Sequence, residues 1–72
     1  MDERNPEPGL YQHFKGGVYD LLDIATHSET GELMAVYRAC AVPHRLYVRP
    51  LVMWNEHIDR GDYHGPRFRR MA

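Results

Sequence analysis

Apolar and polar positions alternate along the chain in short runs, each stopped by glycine, proline or a polar cluster. Period two is the strand signal, because successive side chains on a strand point to opposite faces. Leu10 to Lys15 forms the first such run, with Leu10, Gln12 and Phe14 on one face and Tyr11, His13 and Lys15 on the other. Gly16-Gly17 reads as a turn, where positive φ carries no steric cost. Val18 to His27 is the longest strand candidate. Tyr19, Leu21 and Ala25 lie on one side and Val18, Leu22 and Ile24 on the other. Apolar residues on both sides suit a strand that bends, so that each half buries a different face. A helix over Val18 to Ile24 competes, because Val18, Leu21 and Leu22 also fit helical spacing.

Ser28 to Glu32 reads as a hairpin loop, with hydroxyls that bond nearby backbone and Gly31 free to turn left-handed. Leu33 to Ala41 is the returning strand and Pro43-His44 the next turn. Arg45 to Arg49 is a further strand, with Leu46 and Val48 opposite Tyr47 and Arg49. Pro50 cannot donate to a ladder and suits the first position of a helical turn. One short helical turn over Leu51 to Trp54 follows, packing Leu51 and Trp54 inward. Asn55 to Asp59 resumes as a strand, Arg60 to Gly65 is a loop, and Pro66 to Met71 is a last strand with Phe68 inward. Residues 1–8 are polar, hold Pro6 and Pro8, and read as a flexible tail, leaving 9–72 as one domain. The predicted class is all-β: a small SH3-like barrel of five or six short strands with one helical turn near 51–54. The SH3-like label rests on analogy, from a helical turn placed just before the last strands.

Composition narrows the setting. Seventy-two residues make a single small domain with a modest core. Cys40 is the only cysteine, so no disulfide supports the fold, and its apolar neighbours predict a buried thiol. A lone cysteine without a charged-then-apolar leader points to a reducing, cytoplasmic setting. The apolar runs are too short to cross a membrane as helices. A net charge of −1 argues against a general nucleic-acid binder. The charge is uneven, however: Asp2, Glu3 and Glu7 lie at the start, and Arg67, Arg69 and Arg70 near the end. The arginines read as the charged face of an edge strand.

The segments GLYQHFKGGVYDLLDIATHSETGELMAVYRA, YVRPLVMW and GPRFRRM, in that order, resemble the small bacterial family known as domain of unknown function (DUF) 1653. The resemblance covers residues 9 to 71, with H-F-K-G, H-S-E-T and V-R-P its most specific pieces. It sets the family's polar signature on Tyr11, His13, Lys15, His27, Ser28, Glu29, Thr30, Arg49 and Pro50. Tyr47 stands where tryptophan is common and Trp54 where phenylalanine is common, so an aromatic is kept at both. The resemblance implies a bacterial or phage cytoplasmic protein and an SH3-like fold, and implies no activity.

The chemistry of the candidate residues is mixed. Five histidines (His13, His27, His44, His57, His64) invite a metal reading, but none are paired at ligand spacing and no second cysteine exists. No metal or other cofactor is expected. His13 and His27 could meet only across adjacent strands. Ser28 adjoins His27 and Glu29, yet neighbours on a strand face opposite ways, and no G-x-S-x-G elbow is present, so no catalytic residue is assigned. Anion recognition fits better: where the strand face of Tyr11, His13 and Lys15 converges with the His27–Thr30 turn, Arg49, Lys15 and His27 would supply donors for a phosphate or carboxylate, with aromatics to stack on a base. The expected ligand-binding set is therefore Tyr11, His13, Lys15, His27, Ser28, Glu29, Thr30, Arg49 and Trp54. The leading expectation is a binding module for an anionic small molecule, a protein partner or a nucleic acid. One alternative is a small hydrolase or transferase using His27 and Glu29 on a phosphate-bearing substrate. The other is a structural domain that homodimerises to enlarge its core. Within the binding reading, Arg49 pinning the barrel to a carboxylate such as Glu29 or Glu56 is the structural rival.

Overall fold

A computed structural model describes residues 5–71. The chain is mostly β. β1 (Gly9–His13), β2 (Val18–Thr26), β3 (Leu33–Ala39) and β4 (Leu46–Pro50) form a meander, closed on its other side by β7 (Phe68–Arg70) against β1. The sheet order is β4-β3-β2-β1-β7, and every pairing is antiparallel. Between β4 and β7 lie the helical turn α1 (Leu51–Trp54) and a separate two-stranded ribbon, β5 (His57–Arg60) with β6 (Tyr63–Pro66).

The bend in β2 has a clear cause. The register slips between Leu21 and Asp23, which marks a bulge at Leu22. Leu21, almost fully buried, and Ile24, half-buried, then both reach the core although they are three residues apart. The competing helix over Val18 to Ile24 does not form. The 28–32 loop turns at Gly31, with φ of 78°, and Thr30 Oγ1 accepts the Glu32 N–H at 3.1 Å. Helix α1 follows Pro50 and buries Leu51 and Trp54. The core is a stack of rings closed by aliphatics. Trp54 lies flat on Phe68, centroids 3.7 Å apart at 7°, and meets Tyr11 and Tyr37 edge-on at 5.3 and 5.0 Å.

Three expectations need correction. Among the described residues the sheet does not close into a barrel, because β4 and β7 share no ladder. Closure needs strands in a continuous shear; β7 has three residues, and β5 and β6 pair only with each other. Side chains span the gap instead, with Arg49 of β4 and Tyr37 of β3 lying against Phe68 of β7. Second, the loop expected over 60–65 is mostly the hairpin of β5 and β6, turned at Gly61 with φ of 58°. Gly65 and Pro66 masked this strand in the pattern. Third, Cys40 is exposed rather than buried. The chain leaves the sheet at Ala39, so the apolar run beyond it never enters the core. Residues 1–4 of the expected tail lie outside the described residues, and Glu7 of the same segment bonds to the sheet. Its carbonyl accepts from Tyr11 Oη at 2.8 Å and Arg70 Nη1 at 3.0 Å.

Candidate anion-binding face

Arg49 projects from β4 onto the core side of the sheet, the same side as Tyr47 and Tyr37. Its Nε donates to Tyr37 Oη at 3.2 Å, and its guanidinium lies 5.5 Å over the ring of Phe68. These two contacts fix the plane of a half-buried cation. Among the described residues no carboxylate pairs with it. Pinning by Glu29 or Glu56 is therefore not how Arg49 is held: Glu56 pairs with Arg67 at 2.6 Å. The terminal nitrogens of an arginine carry four N–H donors in a rigid fork suited to carboxylate or phosphate.

A titratable ring shares the same support, since His13 and Arg49 both lie against Phe68. β1 ends at His13, and the 14–17 turn is tied by His13 N–H to the Gly17 carbonyl and Gly16 N–H to the His13 carbonyl, both 2.7 Å. The half-buried His13 ring rests on Phe14 and edge-on to Phe68. Burial first, and then the charges of Arg49, Arg67 and Lys15, hold its pKa below the usual 6.5. His13 thus reports a positive field to which three elements contribute. The Phe14 ring, stacked on Tyr63, carries Arg60, Lys15 and Arg67 at 5.4, 5.9 and 6.0 Å from its centre. Cations held over a ring face are attracted by its quadrupole, worth roughly 0.5–1 kcal/mol each at exposed sites. Next to them is a shallow cleft of about 150 Å³ walled by Gln12, His13, Phe14, Gly16, Tyr63 and Arg69. That volume suits a phosphate or carboxylate group rather than a whole dinucleotide.

The remaining expected residues part company with this face. Tyr11 and Trp54 are core residues, 6% and 2% exposed, so their rings are spent on packing. Alternation placed Tyr11 with His13 and Lys15, but the strand ends at His13, and the face shared by Tyr11 and His13 turns inward. His27, Ser28, Glu29 and Thr30 form the exposed tip of the β2–β3 hairpin. There His27 Nδ1 accepts the N–H groups of Glu29 and Thr30 at 3.1 and 3.4 Å, capping the turn. His27 and His13 do not meet across strands. Gln12 pairs with Val18 at one end of β2, and His27 follows its other end; nine residues of strand span roughly 30 Å. Arg49 is in register with Ala35 and Ile24, so it too is about 10 Å short of the tip along the strand direction.

Sequence reasoning overlooked Phe14, Phe68, Arg60 and Arg67 as parts of the face. Arg67 was readable only as an edge charge, yet its backbone bridges Phe14 and Glu56 and its side chain is mostly buried. The signal that could have found them is the repeat of basic residues beside aromatics, F-K at 14–15 and R-F-R at 67–69. Two further histidines, His57 and His64, share Asp59 Oδ1 at 3.2 and 2.8 Å on the exposed ribbon. The His64 bond is the chief reason that the Asp59 carboxyl titrates below its ordinary range. Among the described residues no group of side chains is arranged to hold a metal ion.

Comparisons with known proteins agree with this architecture. The family described as protein of unknown function (DUF1653) matches residues 9–70. The crystal structure of a DUF1653 protein from Bordetella bronchiseptica is similar to this chain with a TM-score of 0.86 and 33% identity, covering 97% of this chain and 92% of that one. Comparison with curated proteins yields no match. The H-F-K-G turn, the H-S-E-T hairpin tip and the V-R-P strand end all fall inside the matched span, and the chain belongs to the DUF1653 family.

Proposed function

We propose that this domain is a binding module that recognises an anionic group on the face centred on Arg49. The observation that carries the reading is the state of that guanidinium: half-buried, oriented by Tyr37 and Phe68, and without a carboxylate among the described residues. Removing a cation from water costs free energy that an anion normally offsets. A site that keeps its cation oriented but unpaired is prepared for an anion from outside. Lys15 and Arg67 extend the positive field felt by His13, and Phe14, Tyr63 and Tyr47 offer ring surface beside it. The element order, with one helical turn ahead of the last strands, supports an SH3-like reading of the module. The bacterial relative and the lone cysteine support a bacterial cytoplasmic setting.

The test is a thermal-shift panel of nucleotides, phosphosugars, folates, short oligonucleotides and acidic peptides against wild type and Arg49→Ala. A ligand at a hundred times its dissociation constant adds about 2.7 kcal/mol, an easily seen rise in melting temperature for so small a domain. A hit lost in a folded Arg49→Ala protein supports the reading. A wild type indifferent to every anion overturns it.

A further inference from the structure

The two edges of the main sheet meet solvent differently. β7 has three residues, and two of them are the exposed Arg69 and Arg70. Short length and charge discourage pairing with a foreign strand. β4 lacks that protection: Leu46 and Val48 are 55% and 61% exposed, and Tyr47 is 42% exposed. Backbone direction along β4 is fixed by the Ala39 N–H, which bonds the Arg45 carbonyl at 2.9 Å. Arg45 therefore faces β3. With period two, Tyr47 and Arg49 also turn their N–H and C=O groups toward β3, and Leu46 and Val48 turn theirs away. Among the described residues no further strand lies on that far side.

We infer that β4 takes up an extended peptide as an added strand, and that this peptide alternates apolar and acidic residues. The inference rests on the reading of Arg49 as an anion-recognising group and names the partner that would bring the anion. An added strand continues the pleat, so its side chains fall alternately beside Leu46 and Val48 on one face and beside Tyr47 and Arg49 on the other. The first face favours apolar side chains and the second a carboxylate. Charge agrees along the whole segment, because residues 33–55 contain Arg38, Arg45 and Arg49 and no aspartate or glutamate. A second copy fits the same edge less well. Antiparallel self-pairing centred on Tyr47 sets Arg45 opposite Arg49 of the other copy, and like charges directly opposite repel. Centring on Val48 sets Leu46 opposite Pro50, which has no N–H to give, and supplies no anion to either arginine.

The experiment follows backbone amide shifts on titration with a capped hexapeptide alternating valine and glutamate, beside a valine–lysine control and inorganic pyrophosphate. Wild type, Arg49→Gln and Val48→Pro are compared; proline removes the outward N–H while sparing the bonds to β3. The expected result is saturable binding of the glutamate peptide with its largest shifts along β4, and none of the lysine peptide. Arg49→Gln and Val48→Pro should each weaken it about tenfold or more, while Val48→Pro leaves pyrophosphate binding unchanged. A peptide N-methylated at the amides that would face β4 makes the same test on the wild-type protein, should Val48→Pro fail to fold. If Arg49→Gln abolishes pyrophosphate binding but the glutamate peptide fails to bind, or its affinity ignores N-methylation, strand addition is overturned and the anion face stands. If Arg49→Gln changes the binding of no anion, both fail. A light-scattering mass that doubles with concentration and falls back in Val48→Pro, without peptide binding, gives the edge to a second copy and overturns the inference.

Discussion

Replacing Arg49 by methionine separates the binding role of its guanidinium from any structural one. Methionine keeps the unbranched stem and removes the charge. Two interactions are lost: the 3.2 Å bond to Tyr37 and the stacking 5.5 Å above Phe68. A charged hydrogen bond contributes about 1.5–3 kcal/mol when buried, and about 1 at this length and partial exposure. The cation–ring contact adds about 0.5–1 kcal/mol. Tyr37 Oη loses this donor, but Arg49 is itself only half-buried, so the shorter side chain leaves room for a water at that oxygen. The expected loss is about 1–2 kcal/mol. A chain of this size has on the order of 4–11 kcal/mol in total, so the variant folds, melting roughly 4–16 °C lower. Urea unfolding followed by the fluorescence of Trp54, the sole tryptophan, measures it. A loss above about 4 kcal/mol would refute the reasoning, since it would make the guanidinium the clasp between the two edges of the sheet rather than a group held ready for a ligand.

Other consequences are read from the same fold. Leu21→Ala empties the centre of the core at a residue 1% exposed, and urea melts should show about 2–5 kcal/mol lost, a large share of the total. Gly31→Ala meets no neighbouring atom but must hold φ at +78°, so its cost is about 1–2 kcal/mol from backbone strain alone, checked by the same melts. His13 has its pKa lowered in the folded state by burial and then by Arg49, Arg67 and Lys15. The unfolded chain therefore takes up that proton first as the pH drops. The stabilising contribution is complete above the unfolded value of 6.5 and is lost as the pH falls through the folded-state value, so stability should rise with pH across that window. His13→Gln should flatten this part of the profile.

The pattern of the chain foretold the first four strands, the bend of β2, the turn at Gly31 and the helical turn after Pro50, because each depends on neighbours in sequence. Period two, a bulge and proline chemistry are local. What it missed depends on how far the sheet curls. Nothing local says that Arg49 on one edge strand will lie over Phe68 on the other, or that the Tyr11 face will turn inward and remove that ring from any ligand. The hairpin tip from His27 to Thr30 looked functional because it concentrates polar side chains. Two of its four residues, His27 and Thr30, are visibly engaged in holding the turn. Proline and glycine in β6 hid a strand, since both are poor formers that a partner strand can nevertheless accommodate at a sheet edge. The exposed Cys40 shows the same limit, as an apolar run is buried only where the sheet continues beneath it.

His13 offers the most direct test of an anion face centred on Arg49, because its imidazole sits in the field of Arg49, Arg67 and Lys15. The measurement is an NMR pH titration of the His13 ring, without and with saturating pyrophosphate, in wild type and Arg49→Met. An anion bound among those cations offsets their charge, so the wild-type pKa should climb back toward its ordinary value, with uptake of a proton on binding, and the rise should shrink sharply in Arg49→Met. A His13 titration that pyrophosphate leaves unmoved, or moves equally in both proteins, would contradict the account.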